Sequence, residues 1–245
     1  LEGLPSRCYA GRVTGDHPRR TPPCGPADEG ARDRLVAEIE REVRETSGYL
    51  GKDRLDPRVL AAVGAVPREE FVPAELRELA YENAPLAIGH GQTISQPYIV
   101  AVMSDLLAPL PGDTVLEVGT GSGYQAAVLA RLVRQVCSIE FVPELAASAA
   151  DRLRRLGFAN VEVRQGDGWH GWPERAPFDG IMVTAAAPRI PKALLAQLKP
   201  GRRLVIPVGP PGRPQELSVV EGGPPRRGEP RVVLPVAFVP LRGGR

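Results

Sequence analysis

The stretch Leu116-Glu117-Val118-Gly119-Thr120-Gly121-Ser122-Gly123-Tyr124 decides the fold. It joins a short apolar run, Thr114 to Val118, to a segment from Gln125 to Val133 with helical apolar spacing, and so reads as a strand, a tight glycine turn and a helix. Glycine lets the backbone bend sharply there and lets a ligand approach where a side chain would collide. A dinucleotide fingerprint, Gly-x-Gly-x-x-Gly, would put glycine at position 124, where this chain has Tyr124. The spacing is instead Gly-x-Gly-x-Gly through Gly119, Gly121 and Gly123, with the acid Glu117 just before it. A carboxylate beside the turn suits a ligand carrying an ammonium and a sulfonium better than one carrying a pyrophosphate.

Beyond this unit, strand-like runs at Gln135 to Ile139, Val161 to Arg164, Gly180 to Thr184 and Arg203 to Val208 alternate with helix-like segments at Pro143 to Leu156 and Lys192 to Gln197. The alternation predicts an α/β fold with a doubly wound, mostly parallel sheet. Two last strand-like stretches, Glu216 to Val220 and Arg231 to Pro240, flank a Pro/Gly/Arg-rich turn and are expected as an antiparallel C-terminal edge pair. Ligands of open α/β sheets bind beyond the carboxyl ends of the strands. Glu140 ends the second strand, placed to accept hydrogen bonds from both hydroxyls of a ribose; Gly166-Asp167-Gly168 follows the third, where Asp167 could meet an adenine amino group. Each feature alone also suits a plain turn or a helix N-cap. Together they predict a site for S-adenosyl-L-methionine.

An N-terminal helical extension is expected ahead of this unit. Leu35, Val36, Ile39 and Val43 recur at helical spacing, and Asp56-Pro57 opens a second helix through Leu60 and Val63. A turn-rich connector then leads to a helix at Ala74 to Tyr81, and after a glycine-rich loop Gln96 to Leu107 carries a buried helix face. Residues 1–32 are rich in Pro, Gly and Arg without apolar periodicity, so a disordered tail is expected ahead of a single domain over residues 33–245. The formal charge of +2 comes from 31 basic and 29 acidic residues spread along the chain, and no nucleic-acid partner is expected. No apolar run reaches the ~18 residues that span a bilayer and no signal core follows the N-terminal arginines, so a cytoplasmic protein with no membrane partner is expected. The chain starts at Leu1 rather than Met, for which a truncated or misassigned start is expected. Cys8, Cys24 and Cys137 fit neither a disulfide framework nor a zinc site, and Cys137, in an apolar stretch, is expected in the core.

More specific segments lie on either side. They are Gly89-His90-Gly91-Gln92-Thr93-Ile94-Ser95-Gln96-Pro97, Val66-Pro67-Arg68-Glu69-Glu70-Phe71-Val72-Pro73, Ala185-Ala186-Ala187-Pro188, Leu198-Lys199-Pro200-Gly201 and Ile206-Pro207-Val208-Gly209. Carrying these, the chain resembles the protein-L-isoaspartate (D-aspartate) O-methyltransferases over residues 33–245. The resemblance implies a class I methyltransferase (Rossmann-like) fold and transfer of methyl from S-adenosyl-L-methionine to the free α-carboxylate of L-isoaspartyl residues in damaged proteins and peptides. The product is S-adenosyl-L-homocysteine, and the ester starts repair through a succinimide. It further implies that Gln92, Thr93, Ile94 and Ser95 lie over the methyl donor, that Ser95 is the catalytic serine, that Glu140 holds the ribose, and that Asp167 with Gly168 holds the adenine end. A monomer is expected. Two positions depart from the family pattern: Arg202, where many relatives have glycine, and Arg242, where some have a hydroxyl residue that contributes to the site.

A carboxylate with an unperturbed pKa near ~4 is ionised at neutral pH, so this chemistry needs no strong general base. His17, His90 and His170 lack metal-ligand spacing, and no metal is expected. The rivals are a nucleic-acid or small-molecule methyltransferase of the same fold and a non-catalytic module that holds S-adenosylmethionine and recognises damaged proteins. Base amino methylation commonly uses Asn/Asp-Pro-Pro-aromatic after the fourth strand, where this chain reads Thr184-Ala185-Ala186-Ala187-Pro188. Ser95 and the glycine turn favour an enzyme.

Overall fold

Strands that are apolar along their whole length must be covered on both faces, which is the condition for a parallel sheet between two layers of helix. The computed structural model describes residues 29–210, 212–223 and 229–244; residues 1–28 of the tail expected over 1–32, with Cys8, His17 and Cys24, lie outside the described residues, as does the 224–228 part of the last turn. The chain runs through α1 (Glu29–Glu45), α2 (Ser47–Leu50), α3 (Pro57–Ala65) and two 3₁₀ turns, Arg68–Phe71 and Ala74–Leu79, into a small hairpin of β1 (Leu86–Gly89) and β2 (Gln92–Ile94). Then follow α4 (Pro97–Leu107), β3 (Thr114–Val118), α5 (Tyr124–Ala130), β4 (Gln135–Glu140), α6 (Pro143–Arg155) and β5 (Val161–Gln165). The rest is β6 (Phe178–Val183), α7 (Lys192–Ala196), β7 (Leu198–Val208), β8 (Gln215–Glu221) and β9 (Arg231–Val236).

The main sheet has the order β5-β4-β3-β6-β7-β8-β9. Its first five strands are parallel; β8 and β9 add antiparallel at the edge, as expected. The chain builds outward from β3 to β5, then returns to β6 on the other side of β3. That reversal opens a crevice at the carboxyl ends of β3 and β6. Residues alternate between two cores, as the period of a strand demands: Val115, Val136 and Met182 pack with the N-terminal helices, while Leu116, Cys137 and Ile181 pack on the opposite face with Trp172, Phe178 and Leu194. Cys137 is thus a core residue.

Several boundaries differ from the sequence expectation. The first helix starts at Glu29 and takes in residues 29–32 of the expected tail; Arg32 donates from Nε to the Tyr81 hydroxyl at 2.9 Å and from Nη2 to Glu69 at 3.2 Å. The segment expected as a helix to Tyr81 is a 3₁₀ turn that ends at Leu79, and the glycine-rich loop before Gln96 contains the β1–β2 hairpin. Helix α3 is fixed where Asp56-Pro57 predicted, with the Asp56 carboxylate accepting from the Arg58 N–H at 2.8 Å and Pro57 in the first turn, where its missing N–H costs nothing. Every residue of α4 is buried, because it lies between the sheet and the helices α1 and α3.

One acid sits inside this packing. Glu117 on β3 is fully buried opposite Ser138 on β4. The Ser138 hydroxyl donates to its Oε2 and accepts from the Thr120 hydroxyl at 2.6 Å, while Oε1 has no partner among the described residues. A single hydroxyl offsets only part of the cost of burying a carboxylate. Burial pushes the Glu117 carboxyl up to about 8, the Ser138 hydrogen bond opposes the shift, and the nearby Glu140 charge adds to it. The native chain therefore holds a proton that the unfolded chain releases near the ordinary 4.5. Stability from this group is complete below the unfolded value and is lost as pH rises to the native one. Urea unfolding at about pH 5.5 and about pH 8.5 should show wild-type stability falling across that interval by roughly 1 to 3 kcal/mol more than that of Glu117→Gln. An identical fall in both proteins would show that Glu117 is ionised in its buried place.

Candidate active site

The glycine turn owes its shape to contacts on both sides. The Gly119 N–H donates to the Ile139 carbonyl at 2.8 Å, and the Thr184 N–H donates to the Val118 carbonyl at 2.9 Å. Thr184 Oγ1 donates to the Gly119 carbonyl at 2.5 Å. Gly119 has φ +101°, and a Cβ there would fall 2.5 Å from Thr184 Oγ1, so both conformation and space exclude a side chain. Gly123 serves packing: a Cβ there would press on Leu153 of α6 at 3.1 Å. The Gly121 N–H donates to Glu140 Oε2 at 2.8 Å, and the Val142 N–H donates to Oε1 at 3.0 Å. Each Glu140 oxygen thus holds one backbone donor and keeps a second lone pair.

Above the turn lies an open cavity. Of the residues expected at a cofactor, Gln92 to Ser95, Gly119, Gly121, Glu140 and Gly168 line it; Glu117, Gly123 and Asp167 do not. Glu117 lies beneath the turn, and the Asp167 carboxylate accepts from the Trp169 N–H at 2.9 Å and the Gly244 N–H at 2.8 Å. The wall suits S-adenosylmethionine on its own chemistry. Glu140 offers spare acceptors that suit the hydroxyls of a ribose, Phe141 beside it offers a flat apolar ring, and Arg242 is the only cationic side chain among the described lining residues.

A second open cavity adjoins the first. Thr93, Ser95, Thr184 and Val239 line both. The rest of the second wall is Pro85, Gln96, Ile99 and the extended stretch 235–238, with no charged side chain among the described lining residues. Ser95 sits at the junction, and its hydroxyl makes no hydrogen bond among the described residues. Thr184, Val239 and Phe141 were not anticipated as wall residues. The only sequence signal for Thr184 is its place after a buried strand, which does not distinguish it from any strand-end threonine.

The segment after β9 straps the crevice. The Ala186 N–H donates to the Val239 carbonyl and the Leu241 N–H to the Ala186 carbonyl, each at 2.8 Å. Arg242 Nη2 donates to the His90 carbonyl in the β1–β2 turn at 2.9 Å, so this departure from the family pattern stands at the mouth of the first cavity. Arg202 has no part in it: its guanidinium pairs with Asp113 and donates to the Asp179 carbonyl at the opposite, amino end of the sheet.

This geometry has known counterparts. Residues 45–245 match the family model described as protein-L-isoaspartate(D-aspartate) O-methyltransferase. Protein-L-isoaspartate O-methyltransferase 2 of Syntrophobacter fumaroxidans is 61% identical over 223 residues, covering 90% of this chain and 90% of that protein. The protein of the same name from Nitrosococcus oceani is 62% identical over 209 residues, covering 85% and 95%. A solved protein-L-isoaspartate O-methyltransferase superposes with a TM-score of 0.74 at 28% identity over 86% of this chain, which spans 66% of that one. A Plasmodium falciparum structure in complex with S-adenosyl-L-homocysteine, 23% identical, superposes with a TM-score of 0.70 over 86% of this chain and 98% of that one, and so shares the fold. On the length and identity of these matches, this chain belongs to the protein-L-isoaspartate (D-aspartate) O-methyltransferase family.

Proposed function

We infer that this chain is an S-adenosylmethionine-dependent carboxyl O-methyltransferase acting on L-isoaspartyl residues of damaged proteins and peptides. Family membership supports the activity, and the observation that carries the mechanism is the pair of cavities with one shared wall. When bound, S-adenosylmethionine supplies a methyl group on a sulfonium, which passes in line to a carboxylate oxygen and leaves S-adenosylhomocysteine. The first cavity takes the donor, with Glu140 on the ribose and Gln92 to Ser95 over the reacting end. The second takes the substrate carboxylate, with Ser95 donating its hydroxyl hydrogen to orient it.

The neutral second wall matters to the chemistry. A Lys or Arg beside the carboxylate would stabilise the anion and weaken it as a nucleophile, whereas one hydroxyl aligns it at small cost to its reactivity. No proton is transferred, so the absence of a histidine from both described walls is consistent with the reaction. An isoaspartyl residue routes the main chain through its side-chain carbonyl and leaves its α-carboxylate free. The methyl ester then closes to a succinimide without further help, because methanol leaves more readily than hydroxide. A single chain carries both cavities, so a monomer suffices. No helix among the described residues is long and apolar enough to cross a membrane.

Labelled-methyl transfer to an isoaspartyl peptide and its aspartyl twin tests the assignment: label should enter the first and not the second, and equal labelling would end the repair assignment. Ser95→Ala should lower kcat by roughly tenfold with the cofactor Kd nearly unchanged, the loss of one aligning hydrogen bond. Full kcat in that variant would reduce Ser95 to a turn residue. Calorimetry of Glu140→Ala should show S-adenosylhomocysteine binding weakened by ~1 to 3 kcal/mol; unchanged affinity would move the ribose elsewhere.

A further inference from the structure

Arg68 is wholly buried at the head of the 3₁₀ turn Arg68–Phe71. Its Nη1 donates to the Ala80 carbonyl at 2.5 Å, and its Nη2 donates to the carbonyls of Ala84 and Ser95, each at 3.0 Å. The guanidinium also lies 5.6 Å from the ring centroid of Tyr124, the first residue of α5. That ring is held edge-on to Phe71, 5.6 Å away. Among the described residues no carboxylate pairs with Arg68, and its Nε has no partner. Burial pulls its pKa down to about 10, which leaves it charged at neutral pH.

A buried charge with no counter-ion is costly, and an apolar residue of similar volume is often neutral or stabilising in such a place. What Arg68 supplies instead is geometry. A planar guanidinium spreads five donors in a fixed fork and stacks on a ring, which a lysine point charge cannot do. Here the fork gathers three carbonyls that lie 12, 16 and 27 residues further along the chain, and it reaches two residues of the first cavity's wall, Ser95 and Tyr124, without lining that cavity itself.

We propose that Arg68 is a positioning residue for methyl transfer, tying the Ser95 segment to the head of α5 so that the Ser95 hydroxyl stands at a fixed place relative to the glycine turn. The proposal rests on the role given to Ser95 above. Arg68→Lys keeps a basic side chain and loses the fork. It should leave S-adenosylhomocysteine affinity within about threefold of wild type and lower kcat for the isoaspartyl peptide by roughly tenfold or more, the scale on which small misplacements act. Backbone amides of residues 92–96 should exchange hydrogen at least about tenfold faster, with those of β3 and β6 unchanged.

The double variant with Ser95→Ala separates positioning from general weakening. If Arg68 acts through Ser95, adding Arg68→Lys to Ser95→Ala should cost no more than about threefold further in kcat. Losses that multiply, or wild-type kcat in Arg68→Lys, overturn the proposal. Full kcat in Ser95→Ala alone sinks the role of Ser95 instead, and the tie is then judged on the exchange rates and kcat of Arg68→Lys, where no change in either overturns it. Arg68→Met fills the space without charge and carries the same measurements should the lysine variant not fold. If neither folds, Arg68 belongs to the core alone and the proposal fails.

Discussion

The close approach of Gly119 to Thr184 sets the rest of the site. Two neighbouring parallel strands end there, the chain leaves them in opposite directions, and the Thr184 hydroxyl closes onto the Gly119 carbonyl in space that a Cβ at 119 would occupy. The contact fixes the glycine turn from one side while the Ile139 carbonyl fixes it from the other. Because Thr184 also lines both cavities, the same contact places the common wall. A sheet reversal thereby becomes a place where two cavities share a wall.

Reaction by in-line transfer to an ionised carboxylate asks for little acid–base apparatus and much placement. The distribution of charge fits that division. The acid under the turn is neutral by burial, the acid at the end of β4 is held by two backbone donors, and the wall of the second cavity has no formal charge among its described residues. The buried cation that does approach the site, Arg68, donates from its two terminal nitrogens to carbonyls and reaches the wall of the first cavity through Ser95 and Tyr124.

Strands β3, β4 and β6 were legible in the sequence because strands buried on both faces leave apolar runs, whereas β5, Val161-Glu162-Val163-Arg164-Gln165, shows the alternation of a half-exposed edge strand. Glycine spacing and Tyr124 distinguish this turn from a dinucleotide loop in the sequence alone. The hairpin was not legible: β2 has three residues, too few to show a period, and β1 ends in a glycine pair around His90 at φ +53°. The early start of β7 was hidden by Pro200-Gly201, which reads as a break yet pairs with the Gly222 carbonyl through the Gly201 N–H. Asp167 shows the limit for site residues. An acid after a strand looks the same in sequence whether it meets a ligand or caps local backbone, and here it accepts from Trp169 and from Gly244, 77 residues away. Tertiary contacts of this kind, like the Arg68 fork, leave no local pattern.

The most direct measurement is a crystal structure of the ternary complex with S-adenosylhomocysteine and an isoaspartyl peptide. The nucleoside should lie over Gly119 and Gly121 with its ribose on Glu140, and the peptide α-carboxylate should enter the second cavity, with Ser95 and Thr184 beside the line from the sulfur to the reacting oxygen. A peptide carboxylate bound outside that second cavity, or a nucleoside away from the glycine turn, would contradict the two-cavity mechanism.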